Sequence, residues 1–150
     1  MRAAGFNVNA EWRPKGAKLY PYAFRISRKV KTLIEKGVPA SNITIAGVDK
    51  AGKISLLVAS YVGDPMVNYL IIGGCVSDET EAERFKENFE LIPAGRILSI
   101  FDEDYMGKGS CASYLTQAEE GTVYKELVIS TRQGQSLFYR PDKRWIEPVR

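Results

Sequence analysis

The chain has 150 residues, 45% of them apolar and 26% charged, with a net charge of +3. That size and balance suit one soluble domain, 1–150, with a real core, and the charge is too small to imply nucleic acid. There is no histidine, which excludes the commonest general base, the commonest metal ligand and the usual pH switch.

In chain order, Gly5 to Trp12 alternates apolar and polar residues at Phe6, Val8, Ala10 and Trp12, the pattern of a strand, and "RPKG" ends it. Between Tyr20 and Lys36 the apolar residues Tyr22, Ala23, Ile26, Val30, Leu33 and Ile34 have helical spacing. Gly37 and Pro39 close that helix. "NITIAGV" (42–48) reads as a strand rich in β-branched residues, and 50–62 as its following helix. "VNYLIIGGC" (67–75) is apolar almost throughout, as a strand covered on both faces should be. Residues 78–89 predict a short acidic helix, "GRILSIF" another strand, "YKELVIS" (124–130) the last strand, and 141–149 a short terminal helix limited by Pro148. Strand and helix signals therefore alternate, which predicts an α/β fold. It has three layers: about five mainly parallel strands, largely in chain order, flanked by helices.

Cys75 and Cys111 lie far apart without metal spacing, so neither a disulfide framework nor a zinc site is expected. Cys111 is read as a buried structural residue. No apolar run approaches the ~20 residues of a membrane span, and the first residues lack the features of a signal peptide. Cytoplasmic location is the default expectation. No cofactor, metal, nucleic acid or membrane partner is expected. The basic face of the first helix reads as solvated, and "GVDKAGK" departs from the phosphate-loop pattern.

Ligands of parallel α/β sheets bind beyond the carboxyl ends of the strands. Three such ends carry candidate residues: "GVDKAG" (47–52), "FDEDYMGKGSC" (101–111) and "STRQGQS" (130–136). Asp49 suits a helix cap as well as a site residue, and Asp102, Glu103 and Asp104 suit a solvated loop cluster. Gln135 by itself is a loop amide.

The order of these segments resembles the α/β-hydrolase family. That family places a G-x-nucleophile-x-G turn between a strand and a helix, then an acid, then a histidine. Gly47, Asp49 and Ala51 match the turn. Asp104, with Asp102 as the second choice, matches the acid, and Gln135 falls where the histidine would stand. The phrases "EWRPKG", "LIEKGVPASNITIAGVDKAG", "VNYLIIGGC" and "ILSIFDED…GSC" resemble a group of small bacterial hydrolases. The resemblance covers nearly all of this chain but only the C-terminal two-thirds or so of such a hydrolase. It implies an α/β-hydrolase-like core without its first strands or the early loop that supplies half of the oxyanion hole.

It also implies a degenerate triad of Asp49, Asp104 and Gln135. Some family members attack an alkyl carbon with an aspartate, but the ester so formed is cleaved by histidine-activated water. Gln135 cannot take that proton. The expected function is therefore non-catalytic, by binding or assembly, with Asp49, Lys50, Asp102, Asp104 and Gln135 as candidate ligand-binding residues. Lys50 is expected to pair with Asp49. The alternative is a weak hydrolase using Asp49 or the Asp102–Asp104 carboxylates. A homodimer is expected, because the apolar strands need cover that the short terminal helix does not supply and the first strand presents an open edge.

Overall fold

A computed structural model describes residues 5–11 and 13–149. Its centre is a four-stranded, all-parallel sheet of β1 (Thr44–Val48), β2 (Asn68–Ile72), β3 (Arg96–Asp102) and β4 (Val123–Ile129), in chain order. Register is continuous: Gly47 lies opposite Ile71, and Ile71 opposite Ser99. The helices are α1 (Leu19–Glu35), α2 (Lys50–Val62), α3 (Glu79–Phe89) and the single turn α4 (Lys143–Ile146).

The sheet has four strands rather than about five. Residues 5–11 form no strand, and Trp12 lies outside the described residues. Alternation alone did not make a strand there, because strand conformation is stabilised by a paired neighbour. This segment is tied to α1 instead. Glu11 accepts hydrogen bonds from Arg25 Nη2 at 2.6 Å and Tyr22 OH at 3.2 Å, and pairs with Lys29. Its carboxyl is held below the usual range, first by Lys29.

Side chains alternate across the strands, which gives the sheet two different faces. Tyr69, Ile71 and Ile97 point into one core with Leu57, Val58, Ala23 and Phe85 of the helices. Leu70, Ile72, Ile100 and Ile129 point into the other, covered by Leu137, Phe138 and Trp145 from the chain end. The expected terminal helix is shorter than its pattern: a 3₁₀ turn (Gly134–Tyr139), then α4, then a second 3₁₀ turn (Glu147–Val149). Asp142 starts α4 by accepting from Arg144 N at 2.9 Å. Asp78 caps α3 in the same way, accepting from Thr80 N and Glu81 N.

The largest departure from the sequence reading is covalent. Cys75 and Cys111 form a disulfide, and both are fully buried. The two cysteines follow neighbouring strands, β2 and β3. Parallel pairing therefore brings together residues 36 positions apart in the chain.

Candidate functional site

One residue, Asp49, separates β1 from α2. It has φ 53° and ψ −120°, a sparsely populated conformation for a residue with a Cβ. Its N–H donates to Ile72 O at 2.8 Å, and its carbonyl accepts from Gly52 N at 2.8 Å. The turn is this tight because two glycines admit backbone contact. A Cβ on Gly47 would lie 2.2 Å from Ala51 O, and one on Gly52 would lie 2.7 Å from Gly74 Cα. The G-x-D-x-A-G spacing thus produces a sharp strand-to-helix elbow with Asp49 at its tip.

This geometry corrects the capping expectation, since the Asp49 side chain makes no cap hydrogen bond to α2. The expected partner is corrected as well. Lys50 is exposed, and Asp49 Oδ1 pairs with Lys108 Nζ from the loop after β3. The Lys108 side chain is 14% exposed and that of Asp49 is 39% exposed. The ammonium lies 5.5 Å from the centroid of the Tyr105 ring. Tyr105 itself packs against Gly73. Its phenol is pushed above the ordinary tyrosine range, first by burial and then by Asp49 and Tyr139.

The loop that carries Lys108 is fastened on both sides. Its backbone forms an antiparallel bridge with Val76, Gly109 N donates to Cys75 O at 3.3 Å, and Ser77 N donates to Gly107 O at 3.4 Å. The Cys75–Cys111 bond closes the same junction, and Cys111 N donates to Glu126 Oε2 at 3.0 Å.

Asp102 and Asp104 have separate environments. Asp102 is fully buried, which corrects the solvated-cluster expectation for it. It accepts from Thr131 Oγ1 and from Asp104 N, the latter at 3.0 Å. Asp104 is exposed, and its Oδ2 accepts from Arg132 N at 2.7 Å. These bonds lash the loop after β3 to the loop after β4. Gln135 lies in the 3₁₀ turn that follows this second loop, and its Nε2 donates to Tyr139 OH at 2.8 Å. Asp104 is thus bonded to the Arg132 backbone, while Asp49 is bonded to Lys108 and Gln135 to Tyr139.

Lys108, Tyr105 and Tyr139 were not among the candidate residues, and the disulfide runs against the expectation of none. The available signal was positional: "GGC" and "GSC" each follow a strand, and Lys108 stands between two glycines. Among the described residues no group of three or more His, Cys, Asp or Glu is placed to hold a metal ion. Among these residues, too, no helix is long and apolar enough to cross a membrane.

No family model and no curated protein matches this chain. Solved structures do. SOBER1 of Arabidopsis thaliana matches over 80% of this chain and 60% of its own, at 13% identity and a TM-score of 0.51. A leucine-to-alanine variant of SOBER1 matches over 87% and 63%, at 13% identity and a TM-score of 0.54. A phenylalanine-to-leucine variant matches over 84% and 64%, at 13% identity and a TM-score of 0.51. The shared fold is that of the α/β-hydrolases. The chain spans 60–64% of the length of these structures. At this identity the likeness concerns the fold alone.

Proposed function

We propose that this chain is a non-catalytic α/β-hydrolase-like protein that acts by binding at the elbow. One observation carries the reading: the residue at the nucleophile position, Asp49, is engaged by Lys108, in a chain with no histidine to serve as base. Gln135, at the histidine position, is occupied with Tyr139 OH and has no titrating group near neutral pH. A carboxylate already paired with an ammonium is a poor nucleophile.

The weak-hydrolase reading keeps one observation in its favour. The strained φ of Asp49 is the conformation that a nucleophile elbow requires. A panel of simple esters and haloalkanes separates the two. The expected result is no turnover by the parent protein and none by Asp49→Ser. Asp49→Ser combined with Gln135→His tests whether a nucleophile and a base suffice to create activity. Robust hydrolysis by the parent, lost in Asp49→Asn, would overturn the binding reading.

We also propose assembly as a homodimer through the outer edge of β1. That edge has no strand beside it among the described residues, and Thr44 and Ala46 are exposed on it. A groove of about 800 Å³ runs alongside, between residues 6–11 and the chain end at Phe138 and Trp145. Open parallel edges are normally paired or covered. A two-fold copy pairing β1 with β1 would do this with one self-complementary surface. Light scattering across a dilution series tests it, with Ala46→Lys on the edge expected to give monomers. A single 16.7 kDa species at every micromolar concentration would overturn the dimer. The buried Cys75–Cys111 bond weighs toward an oxidising compartment rather than the cytoplasm.

A further inference from the structure

We infer that the elbow is a recognition site for a primary ammonium group, and that Lys108 occupies it as a tethered stand-in for the ligand. The inference deepens the binding reading above and rests on it. Three features of the site select this chemistry. The Asp49 carboxylate supplies the opposite charge, and it is only partly exposed, so the pairing is less screened than on an open surface. The Tyr105 ring lies 5.5 Å from the ammonium and adds an aromatic surface that favours a cation. The third is the turn: at φ 53° Asp49 makes no side-chain hydrogen bond to the α2 backbone, which leaves its carboxylate to the cation.

Lys108 reaches this site because of where its backbone is fixed. It is bridged to Val76, followed by the Gly109–Cys75 hydrogen bond, and closed by the Cys75–Cys111 bond three residues on. The contact is therefore between a fixed strap and a fixed elbow, 59 residues apart in the chain. An exposed pair of two flexible side chains would be worth little. Here the backbones at both ends are held by contacts of their own, the strap by the Val76 bridge and the disulfide and the elbow by the Asp49 N–Ile72 O hydrogen bond. The external group that fits must resemble what Lys108 delivers: an ammonium at the end of a short alkyl chain. It could come from a free alkylamine or from a lysine side chain of another protein.

Lys108→Ala removes three methylenes and the ammonium, the atoms of n-propylammonium. That ion is the probe, and thermal unfolding is the readout. At ten times its Kd, a bound ion shifts the folding equilibrium about tenfold and raises Tm by about 3 °C. Lys108→Ala is expected to show this rise with n-propylammonium and none with n-propanol. The parent protein, with its site filled, and Lys108→Ala/Asp49→Asn are expected to show none. Stabilisation of Lys108→Ala by Nα-acetyl-lysine amide at tenfold lower concentration points to a protein source, and stabilisation by n-propylammonium alone points to a free amine. No shift in Lys108→Ala, or an equal shift in the double variant, would overturn the inference. If Lys108→Ala fails to fold, the parent still provides a test through acetylation of its lysines by an activated ester, read by peptide mass spectrometry. Lys108 is expected to react at least tenfold more slowly than exposed Lys50, and Asp49→Asn to remove most of that protection. Equal rates at Lys50 and Lys108 in the parent would overturn the inference. The ester panel reads turnover and these experiments read occupancy, so the binding reading and the ammonium inference can fail separately.

Discussion

The two faces of the sheet are covered by different means. One packs against α1, α2 and α3, three helices of two turns or more, around a core that includes Leu57, Val58, Tyr69 and Ile71. The other is covered by the chain end, a 3₁₀ turn and the four-residue α4, which contribute Leu137, Phe138 and Trp145. Both faces bury apolar strand residues: Tyr69, Ile71 and Ile97 on one, Leu70, Ile72, Ile100 and Ile129 on the other. The difference between the faces therefore lies in the elements laid over them, long helices on one and short turns on the other. The thinly covered face is also the one bordered by the groove at the β1 edge.

The sharpest way to probe this difference is to truncate a fully buried leucine on each face. Leu57→Ala empties a site enclosed by packed helices and is expected to cost about 3–5 kcal/mol in urea unfolding. Leu137 belongs to the 3₁₀ turn Gly134–Tyr139 itself, and a short turn can settle into the space its side chain leaves, so a cost nearer 2 kcal/mol is expected for Leu137→Ala. Equal losses would show that the short cover is as rigid as the helical one.

The next effect concerns the disulfide, which clamps the loops after β2 and β3. Replacing both Cys75 and Cys111 by serine opens a closed loop of about 37 residues and is expected to cost about 2–4 kcal/mol, again read in urea. No change in stability would place the holding force in the Val76–Lys108 bridge and its neighbouring hydrogen bonds instead.

A smaller effect should come from Gly52→Ala. The added methyl meets Gly74 Cα at 2.7 Å, which is backbone and cannot swing aside. A loss of about 1–3 kcal/mol is expected. An unchanged midpoint would mean that the elbow relaxes at no cost.

The smallest effect is a pH response confined to the thin face. The Asp142 carboxyl is lowered to about 2, chiefly by the Arg144 side chain and then by its N–H. A depressed carboxylate stabilises the fold above its ordinary value of 3.8, and that contribution is lost as pH falls toward 2. Trp145 follows in the same turn and donates to Leu137 O and Arg140 O. Its fluorescence is expected to shift red between pH 4 and pH 2, and Asp142→Asn to show the shifted spectrum already at neutral pH. A spectrum flat across that range would detach α4 from Asp142.

Much of this architecture was legible as pattern. The 3.6-residue spacing in 20–36, the β-branched run before Asp49 and the apolar run of β2 each led to the element found, because local periodicity and burial agree there. The Gly5–Trp12 alternation misled for a physical reason: a strand is completed by its neighbour, and that neighbour is not encoded within the strand. Helix α4 fell short because its boundaries depend on Asp142 and on contacts with Leu137 and Arg140 rather than on periodicity.

The sequence by itself determined the parallel α/β order, the elbow at Asp49 and the lack of a histidine base. It could do so because these follow from local spacing, from glycines that allow close approach, and from composition. Only the tertiary structure decided that Asp49 meets Lys108 rather than Lys50, that Asp102 is buried while Asp104 is exposed, and that Cys75 bonds to Cys111. Each of those pairings joins loops that follow different strands, and only strand register sets how far apart such loops lie.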